Sequence, residues 1–493
     1  MAGRIWLIEG IRPLDRQLRG EDGGSGIRNG LPEPGERLRG DVLIRLGRDE
    51  APAFERFGQA QGAWLWNGRA EQVLQLGQAE TARRLRREGF VTAFSAERDV
   101  RRATGGRPAA GPRPWKGPTD GFAAGGGAST FRVFVFGLDT AHVEPYPLEF
   151  RRARELERRL ARASARALYV LGLDSGTVVW RVGRDGRLGA ISSLSPWLED
   201  EGEEWREKLG EGLASFANDW AVEHRMPVRV TLGADPEFAL LSAEGKIVPA
   251  SRYLPKRGAA GCDSMRVGGT IRWPLGELRP TPSADPKELA EALRRLLARS
   301  AALTAGAAVS FRAGAAPVRG LPLGGHLHVS GAALTGERLR ALDNAVALPL
   351  RLLEPPEANR RRPRYGSLGD YRPKSHGGFE YRTPPSWLVS PRLARGTLAL
   401  AKVAAEHSRL LADDRPLDDD RMRDAFYGGD RRRLMEGAER IYQAVRETPG
   451  YAAYREEIDP LFRAIGEGRH WDETVDLRRK WRIPIPYSPP TRN

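Results

Sequence analysis

Four short segments in the second half of the chain each place two chemically active side chains two residues apart. They are Asp235-Pro236-Glu237, Glu277-Leu278-Arg279, His326-Leu327-His328 and Glu380-Tyr381-Arg382. In an extended strand, residues i and i+2 point to the same face. If all four are strands of one sheet, that face carries four carboxylates, two imidazoles and two guanidiniums. Charges gathered in this way need partners or an ion. The expected occupants are a divalent cation and an anionic, phosphate-bearing substrate, which points to an enzyme.

Each pair also has a plainer reading. Asp-Pro often opens a turn, and Pro236 lacks a ladder N–H, so this stretch is expected at an edge, a bulge or a strand end. Glu277 and Arg279 could be a surface ion pair worth under about 1 kcal/mol. The histidines are the most specific element: two of only seven in the chain stand at i and i+2 behind Gly324-Gly325, where a backbone or ligand can approach closely. Arg382 can fork onto phosphate or carboxylate. Upstream, Arg364 to Arg372 is a Gly/Tyr/Arg loop suited either to cover an anion or to serve as basic surface.

The elements that must position these groups follow from periodicity. Val228–Leu232 reads as a strand entering the Asp235 segment, Ile271–Pro280 as a second, Gly324–Ser330 as a third and Phe379–Arg382 as a fourth. Asp285–Ser300 reads as a helix with Asp285 as N-cap, Pro286 in the first turn and Glu288 three residues on. Leu339–Leu353 and most of Leu393–Leu411 and Asp419–Gly468 also read as helix. Upstream, Val42–Leu46, residues 62–66, Phe131–Phe136, Ala167–Leu173 and Thr177–Val182 read as strands, and Ala79–Arg87, Leu148–Ser164 and Glu203–Arg225 as helices. Strands interrupted by helices, without regular βαβ repetition, predict an α+β fold with an antiparallel sheet. The expected divisions are an N-terminal accessory region (1–101), a Gly/Pro/Arg-rich flexible linker (102–130), a small α+β module (131–226), a catalytic core (227–400) and a C-terminal helical extension of it (401–493).

Composition narrows the class. The chain has 493 residues, a net charge of +15 and 79 basic residues, nearly all arginine. Arginine here is dispersed among acids on helices, not interleaved with aromatics, so the charge reflects an Arg/Ala/Gly/Pro-rich composition and nucleic-acid binding is not expected. Cys262 is the only cysteine, which excludes an intrachain disulfide and a CxxC zinc site. No signal peptide and no run of ~20 apolar residues is present, so a cytoplasmic protein without a membrane span is expected.

The ordered set Gly233-Ala-Asp-Pro-Glu-Phe238, Glu277-Leu-Arg-Pro280, Gly325-His-Leu-His328 and Phe379-Glu-Tyr-Arg382, with Pro385-Ser-Trp387, resembles the phage-type COOH-NH2 ligases. These are amidoligases of the glutamine synthetase and glutamate–cysteine ligase superfamily. The likeness covers about residues 228–400. It implies a glutamine synthetase-like catalytic domain, a curved antiparallel sheet with flanking helices, preceded by a smaller α+β region. It also implies ATP with magnesium or manganese on the concave face, and joining of a small-molecule or peptide carboxylate to an amine through an acyl phosphate. Asp235, Glu237, Glu277, His328 and Glu380 are then the metal-ligand candidates. His326, His328, Arg279, Arg372 and Arg364 are the candidates for holding nucleotide or phosphate, and Glu237, Glu277 and Arg382 the catalytic ones. The resemblance leaves open which histidine binds metal or phosphate. Asp235 departs from the glutamate of better-known relatives. Asp263 is an amine-binding candidate, with a polar loop residue as its plainer reading, and Cys262 has no base beside it that would make it a nucleophile.

Two rival classes use the same residues. A metal-dependent hydrolase would place two histidines and a carboxylate around zinc; the surplus of carboxylates and arginines argues for harder cations and phosphate instead. A non-catalytic basic binding or assembly protein could keep the ligase fold.

Overall fold

The computed structural model describes residues 3–8, 27–30, 32, 40–47, 63–94, 129–146, 152–198, 202–267, 269–375 and 377–485. Of the expected linker 102–130, all but residues 129 and 130 lie outside the described residues. Three sheets are present among them. Strands β1 (Ile5–Ile8), β2 (Ile27–Asn29), β3 (Val42–Arg45) and β4 (Trp64–Trp66) form a parallel sheet in the order β2-β1-β3-β4. Strands β5 (Ser129–Phe136), β6 (Thr140–Glu144), β7 (Ser175–Val182) and β8 (Leu188–Ser195) form an antiparallel sheet in the order β6-β5-β7-β8. Apolar faces of both sheets close on the helix Glu203–Arg225, where Ile5, Leu7, Val42, Ile44, Phe134 and Phe136 meet Trp205 and Trp220.

One expected strand is not a strand. Ala167–Val170 is the last turn of a helix running from Ala153 to Val170. The apolar run is continuous because this end of the helix is buried on all sides, a pattern that a short buried strand shares. Its Tyr169 hydroxyl donates to Asp343 Oδ2 (2.9 Å) and so ties the helix to the C-terminal half of the chain.

The third sheet is the curved antiparallel one. Its strands are β9 (Thr231–Leu241), β10 (Ile247–Val248), β11 (Ala260–Val267), β12 (Thr270–Leu278), β13 (Ser310–Arg312), β14 (Gly325–Ser330), β15 (Tyr371–Pro373) and β16 (Phe379–Tyr381). The order is β11-β12-β9-β14-β16-β15, with β10 and β13 paired to the far end of β9. Pro236 lies inside β9, not at an edge or a strand end. It is tolerated because β9 changes partners there: β14 pairs residues 231–236 on one side and β12 pairs 237–239 on the other. Glu237 N–H donates to Gly324 O on the β14 side (2.9 Å), so the N–H that Pro236 lacks falls on the side where β12 pairing has not begun.

Helices cover the apolar side of this sheet. Helix Pro286–Leu303 starts at the expected cap, with Asp285 accepting from Lys287 N. Its Glu288 does not close a capping box; it accepts from Ser283 Oγ, which itself accepts from Asp285 N. The expected helix 339–353 is Gly336–Leu342 and Leu348–Leu353 joined by a π-helical turn, Asp343–Ala347. That wider turn delivers Asp343 Oδ1 to the Tyr381 hydroxyl (2.7 Å), between the two site residues Glu380 and Arg382. Helix Pro391–Glu406 is buried along most of its length and packs on helices Pro286–Leu303 and Tyr451–Gly466. The molecule is thus α+β, with a curved antiparallel sheet and flanking helices.

Candidate ligase site

Register brings the four pairs together. Glu277 stands opposite Glu237, Asp235 opposite His326, and Glu380 between His328 on one neighbouring strand and Arg372 on the other. The polar groups fall on one face because the alternate residues Ala234, Phe238, Leu327 and Tyr381 point into the core. Glycines make room: a Cβ on Gly233 would stand 3.2 Å from His328 Cβ, and one on Gly324 would stand 2.6 Å from His326 Nε2. Gly325 has a different task, since a Cβ there would stand 2.2 Å from Pro385 O. The close approach allowed at Gly325 is by backbone, and Trp387 Nε1 donates to Gly325 O at 2.9 Å.

Asp235 is the hub. Its Oδ2 is hydrogen-bonded to His328 Nε2 (3.1 Å). Its Oδ1 is enclosed, forms no hydrogen bond and lies 3.1 Å from His326 Nδ1 as an ion-pair contact. His326 Nδ1 is also 3.4 Å from Glu380 Oε1. Burial favours a neutral Asp235, but the two imidazoles outweigh it and hold the carboxyl well below the usual range. Burial likewise opposes charge on His326, and Asp235 with Glu237 raises its pKa in spite of that.

Glu237 is balanced differently. Burial pushes its carboxyl up to about 7, with Asp263 and Asp235 adding to the push while His326 and the Gly324 N–H act against it. Its Oε2 accepts from Gly324 N (2.8 Å). Glu380 is almost completely enclosed, yet Lys374, His326 and Arg372 overcome burial and keep it below the usual range. Lys374 Nζ is 2.6 Å from Glu380 Oε2, Arg372 Nη1 3.2 Å from the same atom, and Arg382 Nε 3.6 Å from Oε1.

Among the described residues, Asp235, His326 and Glu380 each offer a ligand atom within 4.8 Å of the others. Asp235 Oδ1, enclosed without a hydrogen bond, and the carboxylate-rich donor set fit a hard divalent cation. His326 belongs to this trio, and His328 orients Asp235 from behind.

Other candidates are placed less centrally. Arg279 packs against the Glu277 carboxylate and donates to Gly258 O (3.0 Å) and Cys262 O (2.9 Å). Arg364 is exposed and lies over the Tyr365 ring, with its Cζ 5.4 Å from the centroid. Cys262 is buried, its thiol pushed up to about 11 by burial, which removes it as a nucleophile. Lys374 was missed, although Arg372-Pro373-Lys374 repeats the same i, i+2 spacing. Ser386, given no role although it lies in the Pro385-Ser-Trp387 motif, donates its Oγ–H to Glu237 O (2.6 Å).

Carboxylates and an imidazole that can hold a cation, flanked by cationic side chains, are what a carboxylate–amine ligase of this fold class needs. A family model described as "Phage phiEco32-like COOH.NH2 ligase-type 2" matches residues 232–483, and the chain belongs to that family. No curated protein matches the chain. Among solved structures it is similar to a bifunctional glutathione synthetase from Pasteurella multocida (10% identity, 54% of this chain and 49% of that one, TM-score 0.28). It is also similar to ligand-free GmaS (13% identity, 54% and 75%, TM-score 0.29) and to a novel glutamine synthase homolog (16% identity, 50% and 73%, TM-score 0.24). The chain thus spans about half the length of the first of these.

Proposed function

We propose that the protein is an ATP-dependent ligase that joins a carboxylate to an amine through an acyl phosphate. The observation that carries this reading is the convergence of Asp235, Glu237, Glu277, His326, His328 and Glu380 on one sheet face, beside Arg372, Lys374 and Arg382. Asp235, Glu237, Glu277, Glu380 and His326 would hold divalent cation, with His328 fixing Asp235. Bound there, magnesium or manganese supplies charge neutralisation for the phosphates of ATP.

The chain's own groups do the rest. Arg372, Lys374 and Arg382 offer N–H groups to phosphate oxygens, and Arg279 braces Glu277 from the loop side. The substrate carboxylate attacks the γ-phosphorus, and ADP leaves with the electrons of the broken P–O bond. The amine then attacks the acyl carbon and inorganic phosphate departs. Glu237, a carboxylate on the same face, is placed to accept the proton lost by the amine. Positioning and electrostatics carry the catalysis, as expected for phosphoryl transfer.

The substrates in this reading are small-molecule or peptide carboxylates and amines, and the setting is cytoplasmic. Among the described residues no helix is long and apolar enough to cross a membrane. ADP release that needs magnesium, a carboxylate pool and an amine pool together is the expected result. Stoichiometric zinc with no nucleotide binding would favour a hydrolase.

A further inference from the structure

Arg361 closes the short 3₁₀ turn Pro356–Arg361 and is buried, 7% exposed. Its Nε and Nη1 are enclosed and have no hydrogen-bond partner. Three acids pull on its charge: Glu354, Glu237 and Glu473. Each is committed elsewhere. Glu354 accepts from Arg362 through both oxygens, at 2.6 and 2.7 Å. Glu473 accepts from Ala315 N (2.5 Å), Ala316 N (3.2 Å) and Trp471 Nε1 (2.9 Å). Glu237 is bonded to Gly324 N–H. Burial, with the charge of Arg362, lowers the Arg361 pKa to about 10, so the group is still cationic at neutral pH.

Its place is next to the ligase face. A Cβ on Gly366 would stand 3.2 Å from Arg361 Cζ and 3.3 Å from Thr383 O, so the guanidinium packs over this glycine beside the residue that follows Arg382. Arg382 Nε is likewise enclosed without a hydrogen bond. Arg361 feels Glu237, while Arg382 acts on His326. Both guanidiniums thus stand within electrostatic reach of the carboxylate row. Enclosed guanidinium N–H groups without acceptors are unfavourable, and the surrounding acids are turned to other donors, so an oxyanion from outside the chain would supply the acceptors that the fold does not.

We propose that Arg361 is an oxyanion-binding residue of the ligase site, taking the carboxylate of the acyl donor or the phosphoryl group transferred to it. This rests on the ligase reading for the identity of the ligand, but not for the presence of the subsite. Arg362, one residue on, is its structural counterpart, because its partner Glu354 is fully buried.

The test is thermal unfolding of the wild type, Arg361→Met, Arg361→Lys and Arg362→Met at matched ionic strength, titrated separately with inorganic phosphate and with glutarate. At least one anion should raise the wild-type midpoint saturably. Arg361→Met should weaken that response roughly 10–100-fold and Arg361→Lys less. Without anion, Arg361→Met should melt at or above the wild type, and Arg362→Met well below it. A response to phosphate alone assigns the phosphoryl group, and a response to glutarate alone assigns the carboxylate. The proposal is overturned if the wild type responds to neither anion, if Arg361→Met responds as the wild type does, or if its anion-free midpoint falls as far as that of Arg362→Met. A wild type that binds anion through Arg361 yet forms no ADP would contradict the proposed function and leave the subsite standing.

Discussion

Asp235 and His326 stand directly opposite each other on adjacent strands, with His326 Nδ1 3.1 Å from Asp235 Oδ1, while the other Asp235 oxygen is bonded to His328. In the proposed site the two imidazoles have unequal tasks: His326 joins the carboxylates Asp235 and Glu380, and His328 aims Asp235. His326→Ala should abolish magnesium-dependent nucleotide binding. His328→Ala should weaken it by about 10–100-fold, as loss of a group that orients a ligand does. Calorimetric titration with magnesium and ATP checks this; equal losses from both variants would contradict the division of labour.

Under the proposed function, Glu237 should make cation binding depend on pH. Its folded pKa of about 7 lies above the ordinary carboxylate value, so the neutral acid is favoured in the folded apo protein. The stability that this contributes is fully present below about pH 4.5 and is lost as pH rises through 7. Glu237→Gln should therefore match the wild-type apo melt at about pH 4 and exceed it by about 1–3 kcal/mol at pH 8. Magnesium affinity should run the other way, falling up to ~10-fold per pH unit below 7 in the wild type because one proton must leave. Glu237→Gln should bind weakly at every pH.

Gly325 and Trp387 lock the histidine strand in place. Gly325→Ala would put a Cβ against Pro385 O and 2.7 Å from Trp387 Cδ1, and should cost about 1–3 kcal/mol of stability. Trp387→Phe removes the indole donor to Gly325 O and should cost about 1–2 kcal/mol. Chemical denaturation measures both. A Gly325→Ala variant as stable as the wild type would mean that the β14 backbone is free to shift.

The buried Glu354–Arg362 pair holds the turn that carries Arg361. Arg362→Met removes both hydrogen bonds to the enclosed Glu354 carboxylate and leaves it only the longer Arg351 contact (3.8 Å), which should destabilise the protein by about 3 kcal/mol. Replacing both residues with apolar ones should recover much of that loss, as denaturation of the double variant would reveal.

The residue pairs were legible because the period of a strand is two: any chain that extends through Asp235-Pro-Glu237 or His326-Leu-His328 must present both side chains on one face. The α+β class and most helices followed from the same periodicity. Pro236 was misplaced because its tolerance depends on where β14 hands over to β12, a register relation between distant segments. Ala167–Leu173 misled because a helix end buried on all sides reads as a buried strand. Which histidine joins the trio, and the stranded charge of Arg361, depend on long-range packing that no local spacing encodes.

The central claim is that a carboxylate is activated by phosphoryl transfer, and the fate of its oxygen tests this most directly. Acidic amino acids and short acidic peptides labelled with ¹⁸O in their carboxylates would be incubated with the protein, magnesium, ATP and an amine pool. An acyl phosphate requires that the released inorganic phosphate carry one ¹⁸O atom for each amide and each ADP formed. Amide and ADP formed with unlabelled phosphate would contradict it.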